Sequence, residues 1–336
     1  MQRSALRTHP IRAVPSAPAH AAPPAPAWPS YTGVSQFVGS TQSGRLNVFV
    51  DPSLGQPARQ NAQDLIADGD RIITANDALF GTVGGSVSVI IFALNGATDG
   101  TGGADHNGCD YVNGGAIEVC ASFGDSARVS ALFEAELSEC SMGGNLCGVS
   151  TGEALSRWCA SSTSNNALAD FATAPGWVQD GMVNWVDQTR PTDQDLDSTG
   201  CGMAFISWLM SLGHPLSDIA PELVALGENG TLAQVYAALT GDAAGNAWRN
   251  FIAAVRALPN GVTSDDPFGA QAPAVSGMEP MAMAQAARAL SALLADIAAG
   301  KSEHEILASI RAMTGSAGAR ARGRSKRLLP PRARAA

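Results

Sequence analysis

The chain has 336 residues, 45% apolar and 15% charged, with a formal net charge of −9, and no window approaches 18 apolar residues without a charge or turn former, which excludes a transmembrane helix. All 30 acidic residues lie between Asp51 and Glu305 with only 11 basic ones around them, so the middle carries a charge near −19 while arginines crowd both ends. A body this acidic repels a phosphate backbone, which argues against nucleic acid as its partner.

Residues 1–30 are rich in Pro and Ala, have no means of building a core, and are predicted to be disordered, with a domain beginning at Tyr31. Arg45–Val50 has strand character and Asp51-Pro52 ends it. Apolar residues from Pro57 to Phe80 recur at helical spacing. Ser86–Leu94 is apolar enough for a central strand. Asp99–Asp110 is rich in Gly and Asp and reads as a turn-rich loop. Its acids are of the kind that hold calcium, but the spacing fits no EF-hand, so a plain loop is favoured and its His106 is expected at the surface. Gly115–Ala121 is a third strand, expected at the sheet edge. Strand, helix, two strands and helix in this order predict an α+β fold with a small mixed sheet followed by a mainly helical half.

The next stretch, Ala131-Leu132-Phe133-Glu134-Ala135-Glu136-Leu137-Ser138-Glu139-Cys140, is a helix. At about 100° per residue, Val129, Leu132, Phe133, Glu136, Leu137 and Cys140 share one face, with Ser130, Glu134, Ser138 and Ser141 opposite. Glu136 therefore points into the apolar side, where a carboxylate must be paired, hydrogen-bonded or protonated. It either meets a backbone group or an arginine inside the fold, or lines an altered active site. Gly143-Gly144-Asn145 breaks the chain, and Gly152-Glu153-Ala154-Leu155-Ser156-Arg157-Trp158 follows.

These two segments resemble the paired helices of gluzincin-type zincin metallopeptidases over roughly residues 43–260. Ala135-Glu136-Leu137-Ser138-Glu139 stands where that family has HExxH, with Ala135 and Glu139 in place of the two zinc histidines and Glu136 in place of the general base. The resemblance implies Glu153 as the third ligand, with Asp180 in Trp177-Val178-Gln179-Asp180-Gly181 as the competing candidate. It also implies an edge strand bordering a substrate cleft. The chain resembles, more closely than any active peptidase, a group of exported bacterial proteins of unassigned function that share the A-E-L-S-E helix and the G-E-A/G-L-S-R segment. Catalytic zinc needs three donors and Ala135 supplies none. Glu139, Glu153, Asp180 and His106 are the candidates to hold a divalent ion, calcium or zinc.

Asp193–Gly200 alternates acids but lacks EF-hand spacing and is expected as an exposed loop. Met203–Leu212 is a core helix, Glu222–Leu226 and Thr231–Gln234 mark two more, and Asn246–Leu258 closes the domain. Residues 259–278 form a Pro/Gly/Ser linker, 279–314 a helical hairpin and 315–336 a disordered basic tail. His304-Glu305 has Ala308 at the position of a second histidine and belongs to a capping box with Ser302.

Six cysteines fall within 93 residues, from Cys109 to Cys201, without a CxxC pair. Disulfides are expected in an extracellular or periplasmic protein; Cys109 with Cys120 would close a hairpin and one of Cys140 or Cys147 could pair with Cys159 or Cys201, but fifteen pairings are possible and the sequence does not choose among them. Residues 1–30 lack the apolar run of a signal peptide. Three functions fit: a zincin-like protein without standard zinc catalysis that binds a protein or peptide ligand or acts as a scaffold, a hydrolase using Glu136 as base with an unusual metal set or with Glu153 as the second catalytic carboxylate, and a disulfide-stapled domain without a cleft.

Overall fold

The computed structural model describes residues 22–108, 110–143 and 146–270. The C-terminal hairpin and basic tail expected after residue 278 lie outside the described residues.

The fold is α+β. Strands β1 (Gln36–Ser40), β2 (Leu46–Val50), β3 (Val87–Phe92), β4 (Ala104–Asn107) and β5 (Ala116–Cys120) form a mixed sheet in the order β1-β2-β3-β5-β4. The three central strands are parallel and the two outer ones antiparallel to their neighbours. β2 reaches β3 through helix α1 (Gly55–Phe80), the crossover that a parallel pair requires. The third strand expected at the edge is therefore internal. The edge is β4, formed by four residues of the segment expected to be a loop.

Period-two alternation gives the sheet two faces. Val89, Ile117 and His106 lie in one row across β3, β5 and β4, facing helix α2 (Ser126–Ser141). Phe49, Ile90, Glu118 and Asp105 lie in the adjacent row on the opposite face. That second face is covered by the N-terminal segment. Trp28 packs edge-on against Phe49, Tyr31 packs on Phe92, and the wholly buried Glu118 accepts hydrogen bonds from the backbone N–H groups of Ser30 and Tyr31 and from Ser30 Oγ. Specific contacts thus begin upstream of Tyr31.

α1 lies close to β2 because Gly69 has no side chain. A Cβ there would stand 2.6 Å from Leu46 Cδ2. Asp125 caps α2, its carboxylate accepting from the Arg128 N–H at 3.1 Å. The helical half then runs through α3 (Ser150–Ser164), α4 (Ala174–Gln179), α5 (Leu196–Ser211), α6 (Leu216–Leu226), α7 (Leu232–Thr240) and α8 (Ala247–Arg256). α5 begins inside the expected acidic loop, because Asp195 accepts from Ser198 N and starts the helix there. α7 opens with a full capping box of Thr231 and Gln234.

The core has two parts. One is packed between the sheet, α1 and α2, and the other among α3 to α8, where Trp158, Trp177, Phe205, Trp208 and Phe251 meet. Among the described residues, no helix is long and apolar enough to cross a membrane.

The expected disulfides are overturned. Cys120, Cys140, Cys159 and Cys201 are buried free thiols, so neither Cys109–Cys120 nor any pairing of Cys140 or Cys147 with Cys159 or Cys201 forms. Those four cysteines fill core space as small apolar groups. Cys147 is disulfide-bonded and offers no thiolate.

Candidate functional site

α2 presents Leu132, Ala135, Glu136 and Glu139 at i, i+3, i+4 and i+7, one stripe of a helix, to a cavity of about 240 Å³. α3 contributes Glu153, Ser156 and Arg157 from the facing side, and β4 contributes Ala104, Asp105 and His106. Gly103, Ser161, Asn166, Leu168, Phe171, Asp193, Gln194, Leu196, Met203 and Asp265 complete the wall. Three elements separated in sequence thus converge on one concave site.

His106 is the residue whose placement differs most from expectation. It is a partner of the α2 carboxylates, with its side chain 10% exposed. Its Nδ1 lies 2.7 Å from Glu136 Oε2 and 3.8 Å from Glu139 Oε2, and its Nε2 lies 3.2 Å from Cys147 Sγ. The cause is register: Ile117 opposes His106 in the β4–β5 ladder, and the row containing Ile117 faces α2. Asp105, one residue earlier, belongs to the opposite face.

Glu153 is held by Arg157 one turn later on α3, with Arg157 Nε donating to Glu153 Oε1 at 2.6 Å. Arg157 Nη1 also donates to the Phe171 carbonyl at 2.9 Å, which fixes the guanidinium at the cavity wall. Asp265 accepts from the N–H groups of Thr173 and Ala174. Burial pushes its carboxyl above the ordinary carboxylate range, against those hydrogen bonds.

Burial is the main cause that drives Glu136 well above the usual carboxylate range, and the negative charges of Glu153, Asp105 and Asp193 push the same way. Glu139 is raised well above its ordinary value too, first by burial and then by Glu136 and Glu153, with His106 pulling in the opposite sense. Glu136 and Glu139 thus hold their protons to higher pH than an ordinary carboxylate does.

The metal candidates divide. Glu139, Glu153 and His106 reach the cavity. Asp180 does not; it sits at the C-terminal end of α4, beside Asp197. Among the described residues, His106, Glu139 and Cys147 each place one potential donor atom within 4.8 Å of the others. That set does not fit a catalytic zinc, because the Cys147 sulfur is bonded and Ala135 carries no donor.

A further buried carboxylate was legible in type but not in position. Glu134, placed by helical period on the outer face of α2, is wholly buried, and neither carboxylate oxygen has a hydrogen-bond partner. Burial, and secondarily Asp77, drives it well above the carboxylate range against the pull of Arg71. α2 has no outer face here because α1 and α3 pack on it along with the sheet.

No protein-family model, curated protein or solved structure matches the chain.

Proposed function

We propose that this is a zincin-like protein that binds an extended peptide segment in the cleft between β4 and the α2–α3 pair, without standard zinc catalysis. The observation that carries the proposal is the convergence of β4, α2 and α3 on one cavity, with Glu136 turned to His106 at the position where the resembling peptidases hold a metal. β4 is the last strand of the sheet, so one edge of its backbone is not engaged by another of the described strands. Such an edge accepts an extended chain by strand addition. The test is elemental analysis of the folded protein alongside peptide-binding titration. Saturable peptide binding without stoichiometric metal is expected. Stoichiometric metal that disappears in Glu153→Ala would overturn the exclusion of metal chemistry.

The 2.7 Å contact of His106 and Glu136 favours a second function, hydrolysis with Glu136 as general base. A base with a raised pKa is deprotonated only as pH climbs above the ordinary carboxylate range, so the rate should rise with pH above that range. Glu136→Gln should remove turnover while leaving the thermal melt near that of the parent. Peptide hydrolysis unchanged in Glu136→Gln excludes this role.

A further inference from the structure

We infer that the cavity selects a basic side chain, the lysine or arginine of a bound peptide. The inference deepens the peptide-cleft proposal and rests on it.

Charge at the cavity wall is one-sided. Glu136 and Glu139 enter from α2, Glu153 from α3, and Asp193 and Asp265 from connecting segments, with Asp105 of β4 at the wall by its place in the strand, against only His106 and Arg157. Both cations are already engaged. Arg157 is spent on Glu153 and the Phe171 carbonyl, and His106 stands against Glu136. Asp265 is engaged by two backbone N–H groups and Asp105 by the N–H of His106. Glu139 is left in the weakest position: it is 6% exposed, and the nearest cationic group among its ion-pair partners is His106 at 3.8 Å. Its other close neighbour is another acid, Glu153.

The rest of the wall fits a cation on an aliphatic stem. Leu132, Phe171 and Met203 give apolar surface beside the carboxylates. The volume, about 240 Å³, falls below the ~300–1,000 Å³ of drug-sized ligand pockets and suits a single side chain better. A cation placed beside Glu136 and Glu139 would favour their ionised forms, so binding should release protons.

The test is calorimetric titration with four blocked pentapeptides, Ala-Ala-X-Ala-Ala, where X is lysine, arginine, norleucine or glutamate. Lysine and arginine peptides should bind about tenfold or more tightly than norleucine, the charge-free analogue of the stem. The preference should shrink as salt is raised. Proton release should appear as a binding enthalpy that changes with the ionisation enthalpy of the buffer. Glu139→Gln should erase the preference. Should that variant melt early, Asp193→Asn on a connecting loop serves instead and should weaken lysine-peptide binding several-fold relative to norleucine. Norleucine binding as tight as lysine overturns the basic-side-chain inference and leaves the cleft proposal standing. Failure of all four peptides to bind overturns both. A lysine preference unchanged in both variants overturns the assignment to this cavity.

Discussion

Helices α2 and α5 are each 16 residues long, and each is buried on almost every side. α5 is what a purely structural central helix requires: its buried residues are apolar or small, with only the hydroxyls of Ser198, Thr199 and Ser207 among them. α2 occupies the equivalent place in the sheet half and holds Arg128, Glu134 and Glu139 in its buried set, with Glu136 facing the cavity. The division extends beyond the two helices. Among the described residues, every buried carboxylate, amide and guanidinium residue lies before residue 140, whereas the buried polar residues of the helical half are serines and threonines alone. Stability explains α5. It does not explain α2, whose carboxylates cost free energy to bury.

The difference can be attacked first at α5. Phe205 packs on Trp208 and Phe251 at ring distances of 5.4 and 5.0 Å. Phe205→Ala should lower unfolding free energy by ~3–5 kcal/mol, read by denaturant titration, because the cavity it leaves is walled by rigid rings. A loss under ~1 kcal/mol would mean that the aromatic cluster is not what holds the helical half together.

Next comes α2, where the expected sign reverses. Glu134→Met removes two unpaired oxygens and should raise stability by ~1–3 kcal/mol near neutral pH. The pH dependence follows from the raised folded-state pKa. Below the unfolded carboxylate value of roughly 4–5 both states are protonated and Glu134 carries no ionisation penalty, while stability is lost as pH rises toward the folded value. Parent and variant should therefore converge in acid as far as ionisation is concerned and separate toward neutral and alkaline pH. A destabilised variant at pH 7 would show that the carboxylate has a stabilising role in the fold.

The smallest effect is at the join between α5 and the last described segment. Ser207 Oγ donates to Asp266 and accepts from the N–H of Phe268 at 3.2 Å, so Ser207→Ala should cost about 1 kcal/mol in a thermal or denaturant melt.

Much of this was legible from residue pattern. The strands around Val48, Val89 and Val119, the long α1, the α2 helix with Glu136 on its inner side, and the helix start at Thr231 are local signals that tertiary context did not override. What failed depended on non-local partners. β4 is four residues long and bracketed by Gly103 and Gly108, so turn chemistry hid it and made His106 a loop residue. Glu134 was misplaced because a helical wheel assumes one wet face, and three layers of packing leave α2 none. Asp193–Gly200 read as a loop because its acids were weighed as ligands, whereas Asp195 is a helix cap. The cysteine count suggested bridges, yet four thiols ended in the core by apolar packing. The clustering of Glu136, Glu139 and Glu153 was foreseen by resemblance rather than by spacing, since nothing local brings α3 against α2.

The anchoring of Ser30 and Tyr31 on Glu118 has a consequence for synthesis. Ser30 leaves the ribosome 88 residues ahead of its acceptor. At roughly 5–20 residues per second the N-terminal segment waits several seconds or more for the strand it must cover. Until then Phe49, Ile90 and Phe92 lack the cover of the segment that is anchored on Glu118, although that segment emerged first.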